Sequence, residues 1–203
     1  MIKNILAYIE SKDSKFKNSA FEVISEAKKL SESLGCEFEV LTVTDANNPE
    51  LKILSEYGAK KIKVVDEKGL NSIFGSEIKY SHSAIAKVIS EIANSGGYNI
   101  ILLSATSFGK EIAPAVSVKT DSAFCPDVID IKIAGGNIIA TKPVYAGKSY
   151  VSIKFNTDKI LLTLRPNVFK AEKSGSENIE IENVDINSLN INSADFKTVV
   201  KDV

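Results

Sequence analysis

The sequence predicts an α/β fold built on a doubly wound, mostly parallel sheet that an antiparallel β-meander extends. Through the first two thirds of the 203 residues, short β-branched runs alternate with longer stretches of helical hydrophobic spacing. Beyond Asp127, strand-like runs follow one another with only turn residues between them. Strands separated by helices form parallel sheets covered on both faces, whereas strands joined by tight turns pair antiparallel.

Four runs in the first part of the chain have the length and composition of strands that are buried on both faces. They are Ile5–Ile9, Phe38–Val43, Lys61–Val65 and Tyr98–Leu103.

The first predicted helix spans Lys15–Leu34 and carries one apolar stripe. The stripe consists of Ala20, Val23, Ala27, Leu30 and Leu34. On this spacing Glu22 and Glu26 point toward solvent. Gly35 ends the helix, because glycine takes the left-handed cap conformation without a Cβ penalty.

Three further helices are predicted from their capping residues. Asn48 caps the second helix, and Pro49 suits its first position. The third helix covers residues 81–94, and the fourth begins near Gly109. Pro114 then belongs to the first turn of the fourth helix or to a kink, since proline breaks helix interiors.

The second part of the chain predicts an antiparallel meander of four strands at one edge of the parallel sheet. The four runs are Asp127–Ala134, Ile138–Tyr145, Ser149–Phe155 and Ile160–Leu164. Glycine, asparagine and aspartate occupy the connections, and these residues accept positive φ.

The composition shifts again after Phe169. The segment Lys173–Ser193 is rich in Ser, Asn, Glu and Asp, and its apolar residues are spaced for a strand or a surface strap. We interpret residues 1–170 as one α/β domain and residues 171–203 as a linker. The apolar run Phe196–Val203 has no terminating residues, as expected for a chain that leads to a further domain.

The bulk composition predicts a soluble cytoplasmic protein that binds neither nucleic acid nor membranes. The formal charge is -1, from 25 basic and 26 acidic residues, so no strong field attracts polyanions. Cys36 and Cys125 are too few for a disulfide framework or a zinc site. The N-terminus has the pattern of a strand rather than a signal peptide, and no apolar stretch reaches the ~20 residues of a membrane span.

One segment stands where a phosphate loop would lie. Residues 104–111, SATSFGKE, follow a predicted strand and open a helix, as an anion site built from backbone N–H groups requires. Against the Walker A pattern, Ser104 replaces the first glycine and Glu111 replaces the magnesium-binding hydroxyl. We favour a simple helix start that Thr106 and Ser107 cap. The candidate nucleotide-site residues are Ser104, Thr106, Gly109 and Lys110.

The sequence contains no catalytic or metal-binding pattern. His82 is the only histidine and no GxSxG nucleophile occurs, so a solvated side chain at a helix start is the simpler interpretation. Cys125 adjoins no histidine or cationic cluster in the sequence, which predicts a buried apolar role. One histidine, two distant cysteines and scattered carboxylates do not make a metal site. The GxGxxG fingerprint is absent.

Three residues are predicted to shape the end of the sheet. Gly147 turns a hairpin, and the Tyr145 ring covers an adjacent strand. Arg165 is the only arginine, and it is placed to bind carbonyls or a carboxylate where Pro166 ends the strand ladder. Its planar guanidinium suits an internal clasp, with a protein interface as the alternative role.

Three segments together resemble the N-terminal domain of electron transfer flavoprotein α-subunits. They are SATSFGKEIAPAVSVKTDSAFCPDVIDI at 104–131, PVYAG at 143–147 and RPNVF at 165–169. The order of elements across residues 5–169, the first helix and the segment Asp195–Lys201 are similar as well. The resemblance implies a nucleotide α-hydrolase-like fold for this part of the chain.

The resemblance also implies a function. Such an α-subunit pairs with a β-subunit, and the complex carries electrons from dehydrogenases, including those of fatty acid β-oxidation, toward a membrane quinone reductase of the respiratory chain. The FAD is held mainly by the C-terminal domain of the α-subunit, which has no counterpart in residues 1–203. We therefore expect a platform without catalysis of its own, which docks the β-subunit and the mobile FAD domain and does not bind FAD alone.

Two other functions are compatible with the residues. A freestanding adenine-nucleotide-binding module similar to universal stress proteins would use Ala7–Asp13 and Ser104–Lys110, at the ends of the first and fourth strands. A small-molecule enzyme would act through His82. A flavin-free chain that forms a heterodimer favours the platform, whereas bound adenine nucleotide favours the module.

Overall fold

A computed structural model shows an α/β fold and describes residues 4–75, 77–78, 81–175 and 178–197. The strands are β1 (Ile5–Ile9), β2 (Ser11–Lys12), β3 (Lys15–Phe16), β4 (Phe38–Thr44), β5 (Lys61–Asp66), β6 (Ile100–Ser104), β7 (Ala123–Val128), β8 (Asp130–Ala134), β9 (Asn137–Val144), β10 (Ser149–Lys154), β11 (Ile160–Leu164) and β12 (Glu180–Asn183). The α-helices are α1 (Asn18–Leu34), α2 (Glu67–Phe74), α3 (His82–Ser95) and α4 (Ser107–Thr120), and a 3-10 helix spans Pro49–Tyr57.

The main sheet contains seven strands in the order β12-β5-β4-β1-β6-β11-β7, and its recorded pairings are parallel. The chain first builds outward from β1 through β4 to β5 and then returns to β6 on the other side of β1. This reversal between β1 and β6 is a topological switch point. The predicted doubly wound α/β class is confirmed.

Two apolar cores lie on the two faces of the main sheet. Residues of α1 and the 3-10 helix belong to the first core, and residues of α2, α3 and α4 belong to the second. Along β1 the side chains alternate between the cores, and none is more than 4% exposed. Burial on both faces explains why β1 and β6 are continuous apolar runs.

The antiparallel meander consists of β8, β9 and β10, in a separate sheet of order β10-β9-β8. The prediction of a fourth meander strand was wrong, because Ile160–Leu164 is β11 and lies in the main sheet between β6 and β7, parallel to both. All five residues of β11 are buried, as an interior parallel strand requires. The run Asp127–Ala134 also divides, since its first residues belong to β7 and the rest to β8.

The meander is the connection between two neighbouring parallel strands. β7 and β11 run in the same direction, so the chain must return from the end of one to the start of the other, a path that usually contains a helix. Here three strands make this return. Their inner side chains Ile131, Ile138 and Ala140 complete the core that α1 covers.

The helix predictions hold with local corrections. α1 begins only at Asn18, because the short β2–β3 hairpin occupies Ser11–Phe16. α4 begins at Ser107, which leaves Pro114 in the helix interior on its exposed side. α2 was not predicted, because it has only eight residues and contains a glycine, Gly69. The Asp66 side chain caps this helix and accepts a hydrogen bond from the Gly69 N–H at 3.0 Å.

Two glutamates of α1 were predicted to point toward solvent, and this prediction was wrong. Glu22 is 3% exposed and Glu26 is 5% exposed. The two carboxylate oxygens of Glu22 lie 3.2 Å and 3.0 Å from the backbone nitrogen of Asn167, and Glu22 also accepts a bond from the Asn18 amide at 2.7 Å. The loop after β11 covers this side of α1, and the periodicity of a single helix carries no information about that loop.

Residues 178–197 form an extended strap along the outside of the fold. β12 adds to β5 in parallel, and the following residues pack on the core beneath α2 and α3. The apolar side chains in these contacts are Val184, Ile186, Leu189, Ile191 and Phe196. Their spacing agrees with the predicted strand or strap, whereas the division into a domain and a linker at residue 170 stays a prediction.

We expect Glu22→Ala to lower the free energy of unfolding by about 1–3 kcal/mol, because the Asn167 N–H loses the acceptor that the buried Glu22 carboxylate supplies. Urea denaturation at neutral pH measures the change. Glu32→Ala on the same helix removes a carboxylate that is 63% exposed, so its effect should stay within about 0.5 kcal/mol. Equal effects for the two variants would contradict a role for the Glu22 contact.

Candidate functional site

A small polar cluster lies at the carboxyl ends of β1 and β6, at the switch point of the sheet. Glu10 directly follows β1, Ser104 ends β6, and Thr106 caps α4. The sequence predicted Ser104, Thr106 and Gly109 here, and it included Glu10 only within the broader range Ala7–Asp13. The structure brings Glu10, Thr106 and Gly109 together.

Thr106 links the two strand ends through its hydroxyl. The Oγ1 atom donates a hydrogen bond to Glu10 Oε1 and accepts one from the Gly109 N–H at 3.0 Å. A Cβ placed on Gly109 would lie 3.4 Å from Glu10 Oε1, so this carboxylate lies beside the first turn of α4. The Glu10 side chain therefore sits near the place where a nucleotide phosphate would meet the helix N-terminus.

Gly109 is required by a close backbone approach. A Cβ at this position would lie 1.9 Å from the carbonyl oxygen of Ser104, which is rigid backbone at the end of β6. The glycine therefore packs the helix against the strand. Ser104 itself is 6% exposed, and its Oγ has no hydrogen-bond partner among the described residues.

Burial raises the pKa of two groups in and beside the cluster. Desolvation raises the pKa of Glu10, and this effect outweighs the hydrogen bond from Thr106 and the positive charges of Lys17 and His82, which lower it. Burial also raises the pKa of the Tyr8 phenol, with the carboxylate of Glu10 adding to the effect. A second anion would be unfavourable beside these groups.

His82 lies at the start of α3 and contacts α4. Its Nδ1 atom pairs with the Glu111 carboxylate, and its ring meets the Phe108 ring edge to face with centroids 4.9 Å apart. His82 is thus partnered rather than simply solvated. The hydroxyl of the neighbouring Ser83 donates a hydrogen bond to the carbonyl of Asp195 at 2.8 Å. It is therefore not hydrogen-bonded to His82, as a serine nucleophile activated by this histidine would be.

Lys110 does not complete the predicted nucleotide cluster. Its side chain is exposed on α4, and its charge helps to lower the pKa of Asp127. In the part of the chain that the structure describes, no group of three or more His, Cys, Asp or Glu side chains could hold a metal ion. Cys125 is 1% exposed within the first core, in agreement with its predicted apolar role.

Arg165 forms a two-bond ion pair with Asp127 at the ends of β7 and β11. Its Nε donates to Oδ1 at 2.9 Å, and its second bond runs from Nη2 to Oδ2. This contact lowers the pKa of Asp127, with the hydrogen bonds from Arg165 as the largest cause. Asp127 has φ of 60°, and its N–H is held by Thr163 Oγ1 at 3.0 Å. The pair holds the main sheet together where the chain departs into the meander.

The Tyr145–Gly147 turn joins β9 to β10. Its three residues have positive φ of 50°, 54° and 87°, and Gly147 serves as the predicted turn residue. The prediction that the Tyr145 ring covers an adjacent strand was wrong, because this residue is 81% exposed. A left-handed backbone at Tyr145 directs its side chain out of the sheet, which an alternating strand pattern does not anticipate.

The outer strand of the meander is open along one side. β10 pairs with β9, and no other described strand pairs with it. Tyr150 is 63% exposed and Val151 is 38% exposed, and the Tyr150 phenol is close enough to influence the pKa of Arg165. We call Tyr145, Tyr150, Val151 and the free edge of β10 the hairpin surface.

At the switch point, the Gly109 N–H that a flavin pyrophosphate could use is already bonded to Thr106. A flavin pyrophosphate needs free N–H groups at a helix N-terminus, and here the Glu10 carboxylate and Thr106 occupy the first turn of α4.

An open cleft of about 620 Å³ lies at the opposite end of the strands, near the start of β11, and its lining includes Asp121, Lys154 and Asp158. Within the described ranges, no helix is long and apolar enough to cross a bilayer.

We expect Gly109→Ala to destabilise the protein by about 3 kcal/mol or more, because the new methyl group overlaps the Ser104 carbonyl oxygen. Thermal denaturation measures the effect. Gly69→Ala in α2 is the matched control, since the added Cβ would meet side chains rather than backbone, Ile186 Cδ1 at 2.7 Å and Asp66 Oδ2 at 3.3 Å. A Gly109→Ala variant as stable as Gly69→Ala would show that β6 and α4 are not in this close contact.

We expect Glu10→Gln to raise stability at pH 7 while keeping an acceptor for Thr106. The folded pKa of Glu10 lies above its ordinary value of 4.5, so the native protein loses stability as pH rises through the folded pKa and the buried carboxyl ionises. The advantage of the variant should therefore vanish below pH 4.5, where the carboxyl is protonated in both states. Urea denaturation across pH measures it, and Glu32→Gln should show no such trend.

The comparison with known proteins agrees with the fold. A family described as Electron transfer flavoprotein domain matches residues 5–189. The electron transfer flavoprotein subunit alpha of Bacillus subtilis (strain 168) is 25% identical over 211 residues, which cover 100% of this chain and 58% of that protein. Protein FixB of Clostridium saccharobutylicum is 25% identical over 182 residues, covering 88% of this chain and 52% of its own length.

A further relative is named for a different electron-transfer complex. The acryloyl-CoA reductase electron transfer subunit beta of Anaerotignum propionicum is 23% identical over 228 residues, which cover 99% of this chain and 60% of that protein. The chain spans about half the length of the relatives it matches. The match over residues 5–189 shows that this chain belongs to the electron transfer flavoprotein family.

Proposed function

We propose that this chain is the docking platform of an electron transfer flavoprotein, in the manner of an α-subunit N-terminal domain. It binds a β-subunit and supports a mobile FAD domain, and it performs no bond chemistry of its own. The complete complex carries FAD and passes electrons from dehydrogenases to the respiratory chain, in the cytoplasm.

The hairpin surface carries this proposal. Tyr145 and Tyr150 expose their aromatic side chains on one small sheet, and aromatic residues are enriched at the centres of protein interfaces. The free backbone groups of β10 offer hydrogen bonds to a partner strand along the same edge. The Tyr150 phenol influences the pKa of Arg165, and Tyr145 and Gly147 lie in the turn that leads into the strand of Tyr150, which supports one surface formed by the predicted interface residues Tyr145, Gly147 and Arg165.

The names of the relatives support an electron-carrier role. Those of Bacillus subtilis and Anaerotignum propionicum are named as subunits, which agrees with a chain that works inside an assembly. The second of these names joins an electron transfer subunit to a reductase. A platform that supports electron transfer between such proteins needs stable docking and no reactive group in the main sheet.

The alternative, a freestanding adenine-nucleotide module, receives less support. Its phosphates would meet the N-terminus of α4, where the Glu10 carboxylate lies beside Gly109. Burial of another negative charge there is costly. The platform requires nothing of this cluster except that it hold β1, β6 and α4 together.

Co-purification with an electron transfer flavoprotein β-subunit from the same organism tests the proposal. The chain alone should be colourless and free of nucleotide, as measured by visible absorbance and by analysis of extracted small molecules. Mixed with the β-subunit, it should elute as a one-to-one heterodimer. A yellow chain, a chain that retains adenine nucleotide, or the absence of a heterodimer would contradict the platform.

We expect the double variant Tyr145→Ser and Tyr150→Ser to weaken the heterodimer by about tenfold to a hundredfold, the range for loss of central aromatic contacts. Titration calorimetry measures the affinity, and a thermal denaturation curve checks that the fold is unchanged. Val118→Ser is the control, because Val118 is 82% exposed but lies on α4. Equal losses for the control and the double variant would contradict docking through the hairpin surface.

A further inference from the structure

The strap, residues 178–197, differs from the rest of the fold in how it is held. β12 is the outermost strand of the main sheet, and three of its four residues are exposed. The apolar side chains that anchor the following segment are only partly buried, whereas all residues of β1, β6 and β11 are buried. Less apolar surface therefore leaves water when the strap attaches than when a central strand does.

An ion-pair ladder fixes β12 against β5. Lys63 Nζ lies 2.7 Å from both carboxylate oxygens of Glu182, and Lys61 Nζ lies 3.5 Å from the nearer one. Both lysines also contact Glu39 of β4, at 3.2 Å and 3.6 Å. Without the strap, Lys61 and Lys63 keep this second partner. The two lysines therefore bind the strap when it is attached and stay paired with Glu39 when it is released, as a reversible attachment requires.

The far end of the strap is held by a second, small set of contacts. The Ser83 hydroxyl donates to the carbonyl of Asp195 and accepts from the N–H of Lys197 at 3.1 Å. The Phe196 ring packs at 5.5 Å from Phe74. These contacts lie at the start of α3 and on α2, so release of the strap breaks no bond inside the parallel sheet from β5 to β7.

We propose that the strap is a detachable element that opens as a unit while the rest of the fold stays intact, and that the Lys61, Lys63 and Glu182 ladder sets how often it opens. Opening frees the hydrogen-bonding edge of β5. If this chain is the proposed platform, opening also lengthens the tether to whatever follows residue 197. The ladder is partly solvated, so increasing salt should favour the open state.

Hydrogen exchange of the wild-type chain tests the opening. The amides of Glu180 and Val184 donate at 2.8 Å each to the carbonyl oxygens of Lys60, directly before β5, and of Val64 in β5. These two amides should exchange at least about tenfold faster than the amides of β1 if the strap opens below the global free energy of unfolding. Raising the salt from about 0.05 M to about 0.5 M should speed the exchange of these two amides and leave β1 unchanged. Exchange of the strap amides at the rate of β1 would overturn the proposal.

Lys63→Gln tests the role of the ladder. We expect exchange at Glu180 and Val184 to rise by about tenfold, the loss that one charge-assisted contact implies, with no change in β1. Lys132→Gln, which removes an ion pair with Asp130 in the meander, is the matched control and should leave the strap unchanged. If neither Lys63→Gln nor added salt changes the exchange rates of the strap amides, the proposed role of the ion-pair ladder is wrong.

This measurement is independent of the platform test. The exchange experiment uses the chain alone, so a strap that opens as expected would stand even if no heterodimer forms. Conversely, if the strap amides exchange only with global unfolding, the strap proposal is wrong even if the heterodimer forms normally.

Discussion

Burial of the central strands on both faces is the constraint on which the rest of this structure depends. β1, β6 and β11 expose essentially no side chain, because helices cover one face and α1 with the meander covers the other. Desolvation excludes unpaired charge from such positions. No charged side chain occurs in these three strands, and the charged groups with a functional interpretation lie at strand ends, outer edges and connections.

The switch point of the sheet is closed by a contact within the chain itself. In open α/β sheets the strand ends at such a point form a crevice with helix N–H groups directed toward it. In this chain a carboxylate from β1 and a hydroxyl from α4 satisfy each other there. This contact joins the end of β1 to the first turn of α4 and so connects the two halves of the sheet.

Local chemistry was predictable from the sequence, and long-range contacts were not. The helix caps at Asn48 and Thr106 follow from the hydrogen-bonding geometry of short polar side chains, and both are present. The buried carboxylate of Glu22 and the position of β11 depend on a loop and on a strand order that no local pattern encodes. Glu10 shows the same limit, because its partner Thr106 is 96 residues away in the chain.

The meander has a consequence for how this protein could change through evolution. A helix in its place would serve equally well as the return path from β7 to β11 and would cover the same core. A helix satisfies its own backbone, whereas the outer strand β10 of the meander has an edge with which no described strand pairs. The choice of strands for an obligatory connection thus leaves a free sheet edge without any added segment, and a lineage could exchange these strands for a helix without rebuilding the main sheet.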